Sequence, residues 1–444
     1  MNSLQDARGL AMTGADAAAA EAFETALGEF QCYVGNPVAS VDKALESHPT
    51  FPMANILKAY LFLSGTEAPG VPVARDCLAA ARKGRPNDRE RQHLAAIEAL
   101  IEGRWEDCVA RLEALLLDYP RDILALQIAH LFDFYRGDAR NLRDRVVRRL
   151  HAWSPSDQNW HALLSMQAFG NEEMGDYARA QALGEESVAL QPRDGWGWHA
   201  VAHVHEMRND PAAGIAWLEP NSRHWGPDSL FDVHNWWHLA LYKLELDRVE
   251  EVLKHYDQQI RVERSSVVLD MVDASAMLWR LKLRGHEAGQ ARWSEIAAAW
   301  EALIEDGNYC FNDAHALMAF IGAGRQDLVQ KQLATLKRSG GTPGSNQAMA
   351  QQVGIPLGEA LVAFDRGDFA GAAERLQRVR AISGRMGGSH AQRDILDLTL
   401  IEAAKRGGDA NLLAALATER VSNRPNSPLA RRYRDAAATL PRVA

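Results

Sequence analysis

Two stretches of this 444-residue chain, "GRWEDCVARLEALLLDYPRD" (Gly103 to Asp122) and "GDYARAQALGEESVALQPRD" (Gly175 to Asp194), align without a gap. Gly stands against Gly, Trp105 against Tyr177, and Pro-Arg-Asp closes both. A third copy lies between them, with Gly137 at its turn and "PSD" (Pro155 to Asp157) at its end. The period is therefore 34 residues from Gly103 to Gly137 and 38 from Gly137 to Gly175. Inside the copies, as in "RQHLAAIEALIEG", apolar residues recur at three- and four-residue spacing, the pattern of an amphipathic helix. Strand-like alternation is nearly absent. A pair of short helices cannot bury its apolar face alone, so a period of this length predicts helix pairs stacked on one another around a continuous core. The expected fold class is all-α, a superhelical solenoid of antiparallel helix pairs.

The period, the small residue at the inter-helix turn, the aromatic after it and the closing proline together resemble the tetratricopeptide repeat. Weaker copies follow, with turns at Asn209-Asp210, Leu246-Asp247, Arg284-Gly285, Ala323-Gly324, Arg366-Gly367 and Gly407-Gly408. The predicted organisation is an N-terminal helical cap over residues 1–50 and a repeat array over 51–444. The array has histidine-rich central repeats at 195–260 and ends in a helical C-terminal cap. Two interruptions lengthen connections: "EPNSRHWGPDS" (Glu219 to Ser229) and the Gly/Pro/Ser-rich "KRSGGTPGSNQ" (Lys337 to Gln347). Loops of that length are either functional or plain linkers.

Composition narrows the function classes. Hydrophobic residues make up 47% of the chain, enough for a large core, and the net charge is −9. Basic residues are interspersed with acids, and the densest run, "RNLRDRVVRRL" (Arg140 to Leu150), has the spacing of a solvated helix face, so no nucleic-acid partner is expected. The four cysteines, Cys32, Cys77, Cys108 and Cys310, form no CxxC pair, which speaks against a disulfide framework or a thiolate zinc site. The N-terminal segment lacks a basic n-region, and no apolar run approaches the roughly 20 residues that span a bilayer. These features predict a soluble, cytoplasmic protein with no membrane partner.

The stretch "WHAVAHVHEM" (Trp198 to Met207) concentrates three histidines and a glutamate, and "HNWWHLAL" (His234 to Leu241) repeats a pair of them. Counted from Pro192 as the closing proline, His199, His203 and Glu206 fall at positions 5, 9 and 12 of a unit starting at Gly195. At 100° per residue those three share one helix face, and His205 lies well round from it. His234 and His238 lie 35 residues after His199 and His203, at matching places on the next first helix. Packed helices lie about 8–10 Å apart, so four imidazoles in register can converge on one ion or small ligand. An i,i+4 histidine pair is also the spacing of helical zinc ligands. The sequence "HEMRN" has Asn209 where a zinc-protease motif needs its second histidine, so it is not that motif. Histidines bonded inside a tight stack are the plain alternative for any one of them. Trp196, at concave position 2, and Trp225 in the long loop are candidate apolar walls of the groove. "NDAHALMAF" (Asn312 to Phe320) puts Asp313 near position 5 of its unit. "GGSHAQRD" (Gly387 to Asp394) gathers His390, Gln392, Arg393 and Asp394 at a helix start, where Ser389, like Asn312, is also a natural cap.

In their order, "HAVAHVHEM", "HNWWHLAL", "DASAMLWRL" (Asp273 to Leu281), "NDAHALMAF" and "GGSHAQRD" resemble the tetratricopeptide repeat protein 38 family over most of the chain. The resemblance implies a soluble, cytosolic helical-repeat protein, and it carries no established reaction. His199, His203, His234, His238, Asp273, Asp313, His315 and His390 match the family's motif positions.

Two function classes follow. In the first, loops close the groove into a small-molecule pocket. His199, His203, His234, His238, Asp313 and His390 are its catalytic candidates, and Glu206, Trp196, Trp225, Asp273, His315 and Arg393 its binding candidates. The four histidines there are either general acid–base groups for hydrolysis, elimination or proton transfer, or ligands of a divalent metal such as zinc. No phosphate-cradling or dinucleotide glycine motif is present, so nucleotide-driven and nicotinamide chemistry are not expected. In the second, the array is a scaffold that cups a partner peptide, the usual role of such repeats.

Overall fold

A computed structural model describes residues 4–440. It is a succession of antiparallel helix pairs, from Ala17–Cys32 and Pro37–Ser47 to Ala410–Asn423 and Pro428–Thr439. The single sheet among the described residues is a two-stranded hairpin in which Leu4–Gln5 pairs with Ala11–Met12. The all-α expectation holds.

The sequence period is written into the hydrogen bonds. Arg89 binds Asp122, Trp153 binds the carbonyl of Pro120 and His161 binds Asp194, each 33 residues apart. Arg261 to Glu295 spans 34, and Gln290 to the Ala323 carbonyl spans 33. Equivalent helices of successive pairs are thus tied directly to one another, which is how a stack with only nearest-neighbour contacts is stabilised.

Each predicted turn closes on one residue in the left-handed region: Gly103, Gly137, Gly175, Asn209, Asp247, Gly285, Gly324, Gly367 and Gly408 have φ between 55° and 82°. Reversing the chain in so few residues needs that conformation, which costs Gly nothing and Asn or Asp little. Around Gly103, Gly175, Gly285, Gly324, Gly367 and Gly408 a Cβ would meet nothing within 4 Å. Backbone conformation, not crowding, selects glycine there.

The chain divides into two compact units. The first comprises Met1–Val201, Arg223–Asp232 and Pro343–Ser345, and the second Ala202–Ser222, Val233–Thr342 and Asn346–Ala444. In the first, an aromatic cluster forms where Trp196 meets Phe169, Phe231 and Tyr33 at centroid distances of 4.8, 5.2 and 5.5 Å. Within it the parts it holds of both long connections are folded rather than loose: Trp225 of the first is fully buried, and Ser345 Oγ of the second accepts from the amide of Trp105 at 2.8 Å, at the start of the Trp105–Asp118 helix. In the second unit, the first helices Asp232–Glu245, Val268–Leu283 and Cys310–Gly322 are buried almost all round.

Candidate functional site

Two histidines that the sequence pattern did not single out explain what an ordinary histidine does in this fold. Asp122, last residue of the first Pro-Arg-Asp, caps the Ile123–Tyr135 helix by accepting from Ala125 N at 2.9 Å. The same carboxylate accepts from His93 Nε2 at 2.9 Å and Arg89 Nη1 at 2.8 Å. Burial pushes this carboxyl up, and the His93 ring and Arg89 guanidinium outweigh burial, holding it well below the usual carboxylate range. Asp194 repeats the arrangement, with His161 Nδ1 and Ser187 Oγ each at 2.8 Å and Gly197 N at 3.0 Å. The Asp of each Pro-Arg-Asp is thus a helix cap and an anchor for the preceding repeat. Its sequence signal was the invariant offset from Arg89 and His161 to the next repeat's Asp.

The cluster of the second unit is different. The Gly195–Met207 helix carries His203, and the Asp232–Glu245 helix carries His234 and His238. Ring centroids lie 4.5 Å apart for His203 and His238 and 4.9 Å apart for His234 and His238, and the ligand nitrogens of all three lie within 4.8 Å of one another. His203 and His238 are fully buried and His234 nearly so. His238 is pushed well below the ordinary histidine value, first by burial and then by the neighbouring His203, His234 and Arg280, which all oppose a second positive charge.

Asp273, on the Val268–Leu283 helix, fixes one ring of this set. Its Oδ2 accepts from His234 Nδ1 at 2.6 Å, and because a carboxylate only accepts, the proton sits on Nδ1. Asp273 is fully buried; burial raises its carboxyl, and His234 and then Arg280 pull the other way. Trp237 packs on the same ring, nearly parallel to His234 at 5.4 Å, and Arg280 lies 5.2 Å over the Trp237 ring. Such a set of nitrogens could hold a metal ion.

His199 lies one turn before His203 on the same helix, within the first unit. It stacks on Phe169 at 5.4 Å and is packed by Trp196 and Phe231. Trp196 and Trp225 are buried. Asp313 is buried and accepts from Gln332 Nε2 of the following helix at 2.9 Å; burial pushes its carboxyl up to about 7. His315 Nδ1 donates to the Phe311 carbonyl at 2.8 Å, and burial lowers the ring to about 4. His390 begins the His390–Arg406 helix and is partly exposed; Ser389 and Gln392 form a capping box there, and Arg393 donates to the Gly388 carbonyl. Asn312 is not the cap of its helix, which begins two residues earlier at Cys310, and the amide of Cys310 donates to Asn346 Oδ1.

The side of the Gly195–Met207 helix that carries Glu206 is covered by the chain's own C-terminal helices. Arg424 binds Glu206 at 3.2 Å, Arg420 binds Asp394 through both nitrogens at 2.8 and 2.9 Å, and Ser427 donates to Glu245. A small cavity of about 30 Å³ remains among these groups. Burial raises the Glu206 carboxyl, with Arg424 the main opposing charge.

No family model matches the chain. Among solved structures it is similar to the APC/C hetero-tetramer Cut9-Hcn1, at 11% identity over 86% of this chain and 76% of that one, with a TM-score of 0.38. It is also similar to a human IFIT1 dimer with m7Gppp-AAAA, at 12% identity over 96% of each chain and a TM-score of 0.44. A third similar structure is Naa15/Naa10 bound to HypK-THB, at 14% identity over 95% of this chain and 67% of that one, with a TM-score of 0.26. The chain is an all-α helical-repeat protein, a class carried by its own helix pairs, turns and period. No described helix is long and apolar enough to cross a membrane.

Proposed function

We propose that the protein binds a divalent transition-metal ion, zinc by its donor set, between His203, His234 and His238, and that this ion serves the binding of a small molecule. The observation that carries the reading is three buried imidazoles within 4.8 Å of one another, one of them oriented by Asp273. A metal bound by nitrogens at about 2.0–2.1 Å needs ligand atoms roughly 3.3 Å apart, so a modest contraction completes the site. The neighbouring rings oppose protonation of His238, which keeps it neutral, the form that binds a metal. When bound, such an ion supplies a Lewis acid or an activated water. Asp273 holds the His234 tautomer, and Trp237 keeps that ring in its plane. The finer resemblance to the tetratricopeptide repeat protein 38 family belongs to the same reading, through the motif positions that hold these residues.

The fold itself favours a second reading, a scaffold for a partner protein or peptide. At the histidine repeats, however, the Glu206 side is already taken by Arg424, so a partner would have to displace the C-terminal helices or use another surface.

Elemental analysis of protein purified from zinc-supplemented medium tests the first reading. One zinc per chain is expected, falling to background when His203 and His238 are both replaced by Ala. Protein that carries no metal and takes up none in a zinc titration would overturn it and leave the scaffold reading in its place.

A further inference from the structure

Residues 4–13 of the first unit lie on its repeats as an extended segment and belong to no helix pair. They form the small hairpin, turned at Gly9 with a φ of 80°. The repeats hold its backbone through side chains. The Ala11 carbonyl accepts from Asn87 Nδ2 at 3.0 Å and Arg89 Nη2 at 3.1 Å, and Thr13 gives its amide and hydroxyl to the Glu90 carboxylate at 2.9 and 2.6 Å. Bonds to main-chain atoms grip an extended segment whatever its sequence.

One side chain carries identity. Arg8 is 7% exposed, and its Nη1 and Nη2 meet the two oxygens of Glu24 at 2.8 and 2.6 Å. That two-pronged geometry suits a guanidinium and not an ammonium. Nη1 also reaches Asn159 Oδ1 at 3.2 Å, at the start of the Trp160–Glu173 helix, and the Ala7 amide donates to Glu24 at 3.1 Å. Among the described residues, every hydrogen bond to the Glu24 carboxylate comes from this segment. The socket for the arginine therefore takes no part in tying the helices to one another. The hold is also polar: Met12 is the one apolar side chain of residues 4–13 that is buried in the core. Segments with so little buried apolar surface open at the low end of a protein's local stabilities.

We propose that residues 4–13 are the built-in occupant of a peptide site, which takes an extended partner segment presenting an arginine to Glu24 when this strap lifts. The site shares no residue with the histidine cluster, and it gives the scaffold reading, on which its purpose rests, a surface of its own.

The test uses the full chain and a fluorescent peptide of residues 5–13. In the parent the tethered strap competes at an effective concentration on the order of millimolar. Arg8→Ala removes its anchor, so that variant should bind the peptide saturably and at least about tenfold more tightly than the parent, with zinc uptake the same in both. Glu24→Gln added to that variant, or the Arg8→Lys peptide in place of the first, should each weaken binding about tenfold or more. Should Arg8→Ala not fold, hydrogen exchange of the parent decides. Excess peptide should quicken exchange of the Ala7 and Thr13 amides, which lose Glu24 and Glu90 when the strap lifts, and unchanged exchange would overturn the proposal. No saturable binding, equal binding by parent and variant, or binding indifferent to Glu24→Gln and to lysine overturns it too and leaves the hairpin a fixed part of the fold. So does dimerisation of Arg8→Ala in place of peptide uptake, which would make a second copy the occupant.

Discussion

The histidines divide by what their rings meet. His93 and His161 each meet the capping Asp of the next repeat, a bond that any stack of helices can use for stability. His203, His234 and His238 meet one another, and His234 has a carboxylate, Asp273, on its ring. Removing that support separates a ligand set from mere packing: Asp273→Asn should lower zinc affinity about 10–100-fold by competition with a chromophoric chelator, because outer carboxylates typically contribute that much. A variant with unchanged affinity would deny Asp273 its orienting role. Asp313 gives a prediction in pH. Its carboxyl is raised from 3.8 to about 7 by burial, so between those values the folded chain holds a proton the unfolded chain has released. Stability contributed by this residue is therefore lost as pH rises from about 4 to 7. Asp313→Asn, able to keep the Gln332 bond, should match the parent near pH 4 and exceed it above pH 7 by on the order of a few kcal/mol in urea unfolding. Equal stability of the two proteins at pH 8 would show that Asp313 ionises freely in the fold. Counting register from Gly324 found this residue, but neither its burial nor the hydrogen bond to the second helix, since helical periodicity fixes a direction and not a partner.

At the scale of the element, the Pro-Arg-Asp ending was legible as punctuation and its work was not. Asp122 closes one repeat in the sequence, starts the next helix as its cap, and accepts from Arg89 and His93 of the Asp88–Ile101 helix, the first of the preceding pair. Replacing Asp122 by Ala takes from a buried guanidinium its nearer carboxylate, with Asp6 left at 3.8 Å, so the expected loss is about 3–5 kcal/mol. The exposed cap Asp210, which binds only Ala213 N at 3.0 Å, should lose about 1 kcal/mol on the same change. Urea midpoints of the two variants measured side by side would test the contrast, and similar losses would reduce Asp122 to an ordinary cap. Turns were the most legible feature, because a left-handed residue is required and few residue types accept it. All the predicted turn positions carry one. The histidine pairs were legible for the same reason the repeats were: offset 35 is one period. The arginine socket was not, because Arg8, Glu24 and Asn159 are isolated polar residues whose alignment depends on a pairing 151 residues long.

For the molecule as a whole, the least legible fact is that the last helices return to the histidine repeats of the second unit. Arg424 to Glu206 spans 218 residues and Ser427 to Glu245 spans 182, distances with no periodic trace in the sequence. The Pro428–Thr439 helix buries Leu429, Ala430 and Tyr433, and the amide of Leu429 donates to Glu245 at 3.3 Å. Such a covering keeps apolar side chains of a stacked array out of water. Ending the chain after Asn423 removes that apolar covering and also strips Glu206 of its cation. Arg424→Gln isolates the second effect, and a buried charge-assisted bond of this kind contributes about 1.5–3 kcal/mol. The truncated chain should lose clearly more than the point variant, the excess measuring the buried apolar side chains at about 25 cal/mol per Å². Limited proteolysis should then begin in the Asp232–Glu245 and Val268–Leu283 helices that the intact chain protects. Were the truncated protein to unfold at the urea midpoint of the intact one, with the same cleavage pattern, the C-terminal helices would be an appendage on the array, and the covered face of Glu206 would be open to the partner peptide that the scaffold reading requires.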